Sequence, residues 1–440
     1  MRRRIVTLIA CGAVSAASCT MVSGGASTIT SSVSPSRDPL GTVTIRPGEP
    51  IVLGTLLTSS GPAAAPGIDA MRGVRLALDY LDLDFDGHPG TLLGHPIVIE
   101  SEAETCSATG GIRGAKTLAQ DRRVLAVIGP TCSASALGGA VQTLSDAGIV
   151  TISPSATNPK LTDPAQHAPL FLRTAYNGLT EGAAAADFSY GTLKAREGAT
   201  AHDGEPQGDA ETAGFRDRFE RLGGLITGSF AIPADVSRSQ ALVQAIGPRT
   251  SVLYATSVGD RCAELSHVWD STPATATSTF LGGQGCMVTS VVADRPTRTS
   301  PTYVVGPDLA RMADSSFYRT QFLPAYQSQF GTPPISTTAP FAFDATDIIL
   351  DAIQVAATHY ADGTIVIGRS ALQNAVFATK DYQGLTGTLT CTPLGECSTD
   401  PSIAVYLLPD VPLAGGDPNG KPVFTETVSL RTLESSPSPS

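Results

Sequence analysis

The chain has 440 residues, of which 16% are charged, and a net charge of −11. That length is ample for two lobes rather than one simple core. The acidic balance, which loss of Arg2, Arg3 and Arg4 with residues 1–18 would take to −14, argues against nucleic acid or an anionic membrane as a partner surface.

The chain opens as a secretion signal, residues 1–18. Arg2, Arg3 and Arg4 are followed by an apolar stretch from Ile5 to Ala17, too short to span a bilayer. Ala16-Ala17-Ser18-Cys19 is similar to a bacterial lipobox, although Ala16 stands where such sites usually carry Leu. Cys19 is therefore the expected lipidated first residue; cleavage nearby without a lipid is the alternative. Leu8-Ile9-Ala10-Cys11 fits the local pattern but leaves too short an apolar run before it. Residues 19–49 are rich in Ser, Thr, Gly and Pro and read as a flexible tether.

A regular alternation of strands and helices follows. Ile51–Leu57 is a strand, and Met71–Leu81 a helix with Met71, Val74, Leu78 and Leu81 on one face. Asp82-Leu83-Asp84-Phe85-Asp86-Gly87 mimics the start of a calcium loop. Position twelve, which needs a bidentate Glu, is Leu93, so an acidic solvated loop is expected. Strand Pro96–Ser101 and helix Ile112–Asp121 come next. Val124–Ile128 reads as a buried parallel strand that breaks at Gly129-Pro130, with Thr131, Cys132, Ser133 and Ser135 capping a helix over Ala134–Ala147. Gly148 ends that helix, strand Ile149–Ile152 follows at once, and a second hydroxyl-rich turn, Ser153 to Pro159, closes the unit. Two such turns at the C-terminal ends of successive strands lie on the edge where open α/β sheets bind ligands, and helix N-termini there suit a carboxylate. Capping alone would explain one turn; two together point to a small-ligand site.

Leu170–Thr174 should cross into a second lobe. Helix Leu179–Lys194, a weak strand near Ala199–Ala201, a helix around Phe215, Phe219 and Leu222, strand Leu225–Ile232, helix Gln240–Ile246, strand Val252–Ala255, helix Cys262–Trp269 and strand Thr279–Leu281 continue the alternation. Thr302–Val305 should lead back, with helices near Phe317–Phe330 and Phe343–Ala357. Gly384–Thr390 is the expected third crossing, and residues 411–440 read as a loose tail.

IGPTCSASALGG, ISPSATNPKLT and FLRTAYNGLTEG resemble the corresponding segments of type I periplasmic binding proteins, closest to the branched-chain amino-acid-binding subgroup that serves ABC importers. IVLGTLLTSSGP, MRGVRLALDYLD, FYRTQFLPAYQSQFGTPP, FAFDATDIILDAIQVA and YQGLTGTLT match further segments in the right order, from about Ile51 to Leu408. The resemblance implies an α/β fold of two doubly wound Rossmann-like lobes joined by a three-strand hinge. Lobe 1 would hold residues 50–173 and 306–384, and lobe 2 residues 174–305 and 385–410. Ligand would bind in the cleft between them, closed by hinge bending.

The resemblance also assigns a site. Ser133, Ala156 and Thr157 fall where the family holds an amino acid's carboxylate and ammonium, with Thr131 and Ser155 on the same rims. Asn177 lies just past the first crossing, where the family often has Asp. In lobe 2 the family's ammonium-binding carboxylate is replaced by Gln284, a strand-end aromatic by Ser257 or Val258 and a tyrosine by Gln207; in lobe 1 an aromatic wall near the first loop is replaced by Pro66. Asp203 and Asp260 are nearby carboxylates that could substitute. A neutral amide holds an ammonium less well than a carboxylate does, so the ligand's identity is open.

Six cysteines remain beyond Cys11 and Cys19, an even count that reads as disulfides in an exported chain. Order along the chain suggests Cys106–Cys132, which the family often has, Cys262–Cys286 and Cys391–Cys397. No CxxC pair occurs and the six histidines are scattered, so neither a zinc site nor a cofactor is expected. GxSxG, HExxH and GxxxxGK[ST] are absent, and His202-Asp203 is the one suggestive pair, which argues against an enzyme. The expectation is a solute-binding protein of an ABC importer, lipid-anchored outside the cell membrane, taking an amino acid (branched-chain-like) or a related small polar compound. Its partners would be that ligand and the permease subunits. The alternative is a sensor for amides, urea or similar compounds without transport.

Overall fold

In the computed structural model the described residues are 38–434, apart from 234, 247–248, 258–259, 293–300, 415 and 418. The signal segment, Cys19, most of the tether and Val258 lie outside them. Two seven-stranded sheets dominate the architecture. The first has the spatial order Glu396–Ser398, Phe171–Tyr176, Val150–Ser153, Val124–Ile128, Ile51–Thr58, His95–Glu104, Thr91–Leu92. All its pairings are parallel except the last. The second runs Phe424–Thr427, Ser402–Leu407, Thr302–Pro307, Thr279–Gly282, Val252–Thr256, Glu197–His202, Leu225–Ala231. Its last five strands are parallel, and its first two are antiparallel additions.

The central strands show why. Val124–Ile128, Val252–Thr256 and Ile51–Thr58 are buried along their whole length, as strands covered by helices on both faces must be. Gly67 lies in the helix Ala64–Asp79, and a β-carbon there would stand 1.8 Å from the Thr58 carbonyl oxygen. Only glycine lets that helix pack so closely on the end of the first strand.

Several elements differ from expectation. The helix after Val124–Ile128 is not continuous: it runs Ser133–Ser135, a wider π-type turn Ala136–Ala140, then Val141–Asp146. Gly139, at φ 119, lies outside helical space and breaks it. The weak strand near Ala199–Ala201 is a full one, Glu197–His202. Ala199 and Ala201 are fully buried, and it is Gly198 that faces Phe219 and Phe215, which a β-carbon there would meet at 3.1 and 3.4 Å. Gly384–Thr390 is no crossing. Tyr382–Gly384 and Gly387–Leu389 form a separate hairpin. The chain then adds Glu396–Ser398 to the first sheet beside Phe171–Tyr176 and enters the second only with Ser402–Leu407. The crossing therefore falls after Ser398, beyond the expected boundary at 384. Residues 411–434 are no loose tail either, because Phe424–Thr427 pairs with Ser402–Leu407 and Leu430–Glu434 is helical. Sulfur bridges join Cys106 to Cys132, Cys262 to Cys286 and Cys391 to Cys397. Among the described residues no helix is long and apolar enough to cross a membrane.

Candidate functional site

The C-terminal ends of both sheets face a common cleft. The two hydroxyl-rich turns of lobe 1 are laced to each other. Ser153 Oγ donates to the Pro130 carbonyl at 2.7 Å and accepts from the Ala156 amide at 2.9 Å. Ser155 Oγ donates to the Thr131 carbonyl at 2.8 Å, and Thr131 Oγ1 accepts from the Thr58 amide at 3.0 Å. These hydroxyls position the rim before they can address a ligand.

Among the described residues side-chain bonds cross the cleft, Thr289 Oγ1 donating to the Ile335 carbonyl at 3.5 Å beside two that bound the cavity. Gln284 Nε2 donates to Thr337 Oγ1 at 3.0 Å, and Asn158 Nδ2 donates to the Pro206 carbonyl at 2.5 Å. Between them lies a cavity of about 40 Å³, lined by Pro66, Thr131, Cys132 and Ser155, by Gln207, Gln284, Met287 and Val288, and by Ser336–Thr338. At about 10–15 Å³ for each water centre this holds only a few waters, so an amino acid enters only when the lobes part.

Of the residues expected at the site, Thr131, Ser155 and Gln284 line this cavity, as do Gln207 and Pro66. The others stand behind it. Ser133 Oγ is buried and accepts from the Asn158 amide at 3.2 Å. The Ala156 carbonyl is taken by Arg173 Nη1 at 3.0 Å. Asn177 caps the helix Gly178–Asp187 by accepting from the Leu179 amide and donates to Glu396, so its amide is spent on structure. Ser257 Oγ donates to Asp203 Oδ2 at 3.0 Å. Asp260 begins the helix Asp260–Ser271. Thr157 is the exception among those behind the wall: its side chain is fully buried and its hydroxyl has no hydrogen-bond partner among the described residues.

Sequence reasoning missed two buried ionic clusters. In the first, Arg173 is 0% exposed and Glu396 5%, and they form a two-pronged ion pair. Arg173 also holds the Ala156 and Asn158 carbonyls at 3.0 and 2.8 Å, tying the second hydroxyl-rich turn to the hinge. In the second, Glu181 and Glu211 flank Gly283, where a β-carbon would stand 2.8 Å from Glu181 Oε1 and 3.1 Å from Glu211 Oε2. Glu181 accepts from Tyr176 at 2.7 Å, Tyr254 at 3.0 Å and the Gln284 amide at 2.7 Å. Glu211 accepts from Thr256 and, at 2.9 Å, from the cavity-lining Gln207. Burial pushes Glu181 up to about 7. Burial first, and the charge of Glu181 second, raise Glu211 well above the ordinary carboxylate range. Like charges this close do not both ionise readily, which raises the proton affinity of the pair. One sign was available: Glu211, Phe215 and Phe219 recur at a spacing of four, which sets a carboxylate on an apolar stripe.

The acidic loop 82–87 does not gather its carboxylates: Asp84 Oδ1 accepts from the Phe85 amide and Asp86 Oδ1 from the His88 amide. Among the described residues, the one group with metal-ligand spacing is Glu104, Cys106 and Cys132, whose sulfurs are bonded to each other.

A family model described as periplasmic binding protein matches residues 50–393. An amino acid binding protein of Pseudomonas aeruginosa is 25% identical over 173 residues, 39% of this chain. That match spans 44% of the relative's length. Among solved structures, the leucine-binding protein LivK of Thermotoga maritima superposes with a TM-score of 0.69 at 19% identity, covering 87% of this chain and 99% of that one. LivJ of Streptococcus pneumoniae, a branched-chain amino acid transporter substrate-binding protein in complex with isoleucine, gives 0.69 at 20% identity, covering 86% and 99%. A solute-binding protein of Rhodopseudomonas palustris in complex with benzoate gives 0.69 at 17%, covering 87% and 97%.

Proposed function

The chain belongs to the periplasmic binding protein family, and we propose that it is the extracytoplasmic solute-binding protein of an ABC importer. Its ligand is an amino acid or a related small polar compound held between the lobes. The observation that carries this reading is the cleft cavity, walled by both lobes and latched by side-chain bonds across it. A ligand that touches both walls stabilises the closed form, and closure is the signal a permease reads. The relatives named for amino acids favour that class, whereas the benzoate complex shows that the same fold accepts an aromatic acid. Met287 and Val288 offer a little apolar wall, and the remaining lining is largely neutral and polar. Lipidation at Cys19 would keep the protein at the membrane surface beside the permease.

Thermal unfolding of the mature chain with branched-chain, polar and acidic amino acids, simple amides and urea tests the reading. A ligand at about a hundred times its Kd adds roughly 2.7 kcal/mol and raises the melting temperature. A rise that disappears in Ser155→Ala supports the cleft. A rise only with amides or urea favours the sensor alternative, and no rise with any compound removes the amino-acid reading.

A further inference from the structure

The two carboxylates behind the cleft are not used by the fold as ion pairs. Among the described residues Glu181 and Glu211 take hydrogen bonds only from phenols, a hydroxyl, an amide side chain and a backbone amide. Two acids side by side in the interior, without a cation, are costly to the fold and need a reason. A second observation stands opposite them. A β-carbon at Gly178 would lie 3.2 Å from Glu211 Cγ and 3.5 Å from Thr157 Oγ1, so the buried Thr157 hydroxyl, which has no hydrogen-bond partner among the described residues, and the Glu211 side chain meet at the same glycine. Two cavity-lining residues connect the pair to the cavity: Gln207 donates its side-chain amide to Glu211 Oε1, and Gln284 its backbone amide to Glu181 Oε1. Among the described residues no Lys, Arg or His lines the cavity itself.

We propose that the cleft selects a small organic cation, whose positive nitrogen displaces the Gln207 amide from Glu211 and donates to Glu211 and to the Thr157 hydroxyl, with Glu181 as the second negative charge. This rests on the solute-binding reading and narrows its ligand class. The field that favours a cation disfavours benzoate-like acids, which would meet two carboxylates and no base.

The inference carries a pH signature. The groups around the pair are Tyr176 and Tyr254, both pushed up by burial, and Asp203, whose charge adds to the proton affinity of Glu211. A cation favours the ionised pair and so expels its shared proton. Affinity rises with pH while the pair is protonated, by up to about tenfold per pH unit for one proton released.

The test is titration calorimetry of the mature chain with ethanolamine, agmatine, L-leucine and benzoate at pH 6 and pH 8, repeated with Glu211→Gln and Thr157→Val. The two amines are expected to bind, more tightly at pH 8. Each substitution is expected to weaken them at least tenfold, while a cooperative melt shows that both variants are folded. If leucine or benzoate binds with an affinity that neither substitution changes, the cation proposal falls and solute binding stands. Amine binding that is the same at both pH values also overturns it. No heat with any of the four compounds overturns the proposal and the amino-acid reading together.

Discussion

Replacing Arg173 by Met should be among the most damaging single changes in lobe 1. The substitution roughly keeps the volume but removes the guanidinium. Glu396, 5% exposed, is left among the described residues with the neutral donors Thr162 and Asn177. The carbonyls of Ala156 and Asn158 lose their bonds of 3.0 and 2.8 Å, Asn158 keeping the Leu161 amide at 3.2 Å. Breaking one partner of a buried pair typically costs about 3–5 kcal/mol, because the other charge stays buried. A chain of this size unfolds with an entropy of roughly 0.9 kcal/mol/K, so about 4 kcal/mol lowers Tm by about 4–5 °C. Scanning calorimetry on the single variants and on Arg173→Met with Glu396→Leu closes a double-mutant cycle. The double variant should lose clearly less than the two singles together, by more than about 1 kcal/mol. A Tm drop under about 1 °C for Arg173→Met, or strict additivity, would refute the assignment of this pair as the brace of the site turn.

Other outcomes follow from the same geometry. Glu181 and Asp344 are each raised by burial to about 7 from 4.5 and 3.8, so the folded state holds protons that the unfolded chain has released. Their contribution is fully present below the unfolded values and is lost as pH rises through 7; melting curves from pH 5 to 8 should show Tm falling, and more shallowly in Glu181→Gln. A flat wild-type profile would count against the buried pair. Gly283→Ala sets a methyl 2.8 Å from Glu181 and 3.1 Å from Glu211, which should destabilise by about 1–3 kcal/mol as overpacking does; urea unfolding at an unchanged midpoint would contradict the close approach. Cys262 and Cys286 are 24 residues apart, and replacing both by Ser frees a loop worth about 3 kcal/mol in the unfolded chain, read as a lower midpoint in denaturant.

What was legible in the sequence was local. Apolar runs ending in Gly-Pro or hydroxyl-rich turns mark Val124–Ile128 and Val150–Ser153, because strand and turn chemistry leave a signature within a dozen residues. The pairing of Arg173 with Glu396, 223 residues apart, leaves none. Nor does the three-residue strand Glu396–Ser398, too short for any periodicity, and so the third crossing was expected too early. The continuous helix expected over Ala134–Ala147 failed at Gly139, whose left-handed backbone no propensity sum reveals. Hydroxyls at strand ends are visible in a sequence, but not whether they face a ligand or, like Ser153 and Ser133, hold the neighbouring turn.

A melting experiment on Thr157→Val tests the solute-binding cleft most directly. The buried Thr157 hydroxyl has no hydrogen-bond partner among the described residues, so replacing it with an isosteric methyl should raise stability without ligand by about 1 kcal/mol, or about 1 °C in Tm. The shift induced by whichever compound stabilises the wild type most should shrink or vanish. A residue kept for ligand rather than for the fold behaves in this way. A lower ligand-free Tm with an undiminished ligand shift would contradict the account, placing the hydroxyl in the scaffold and the ligand elsewhere.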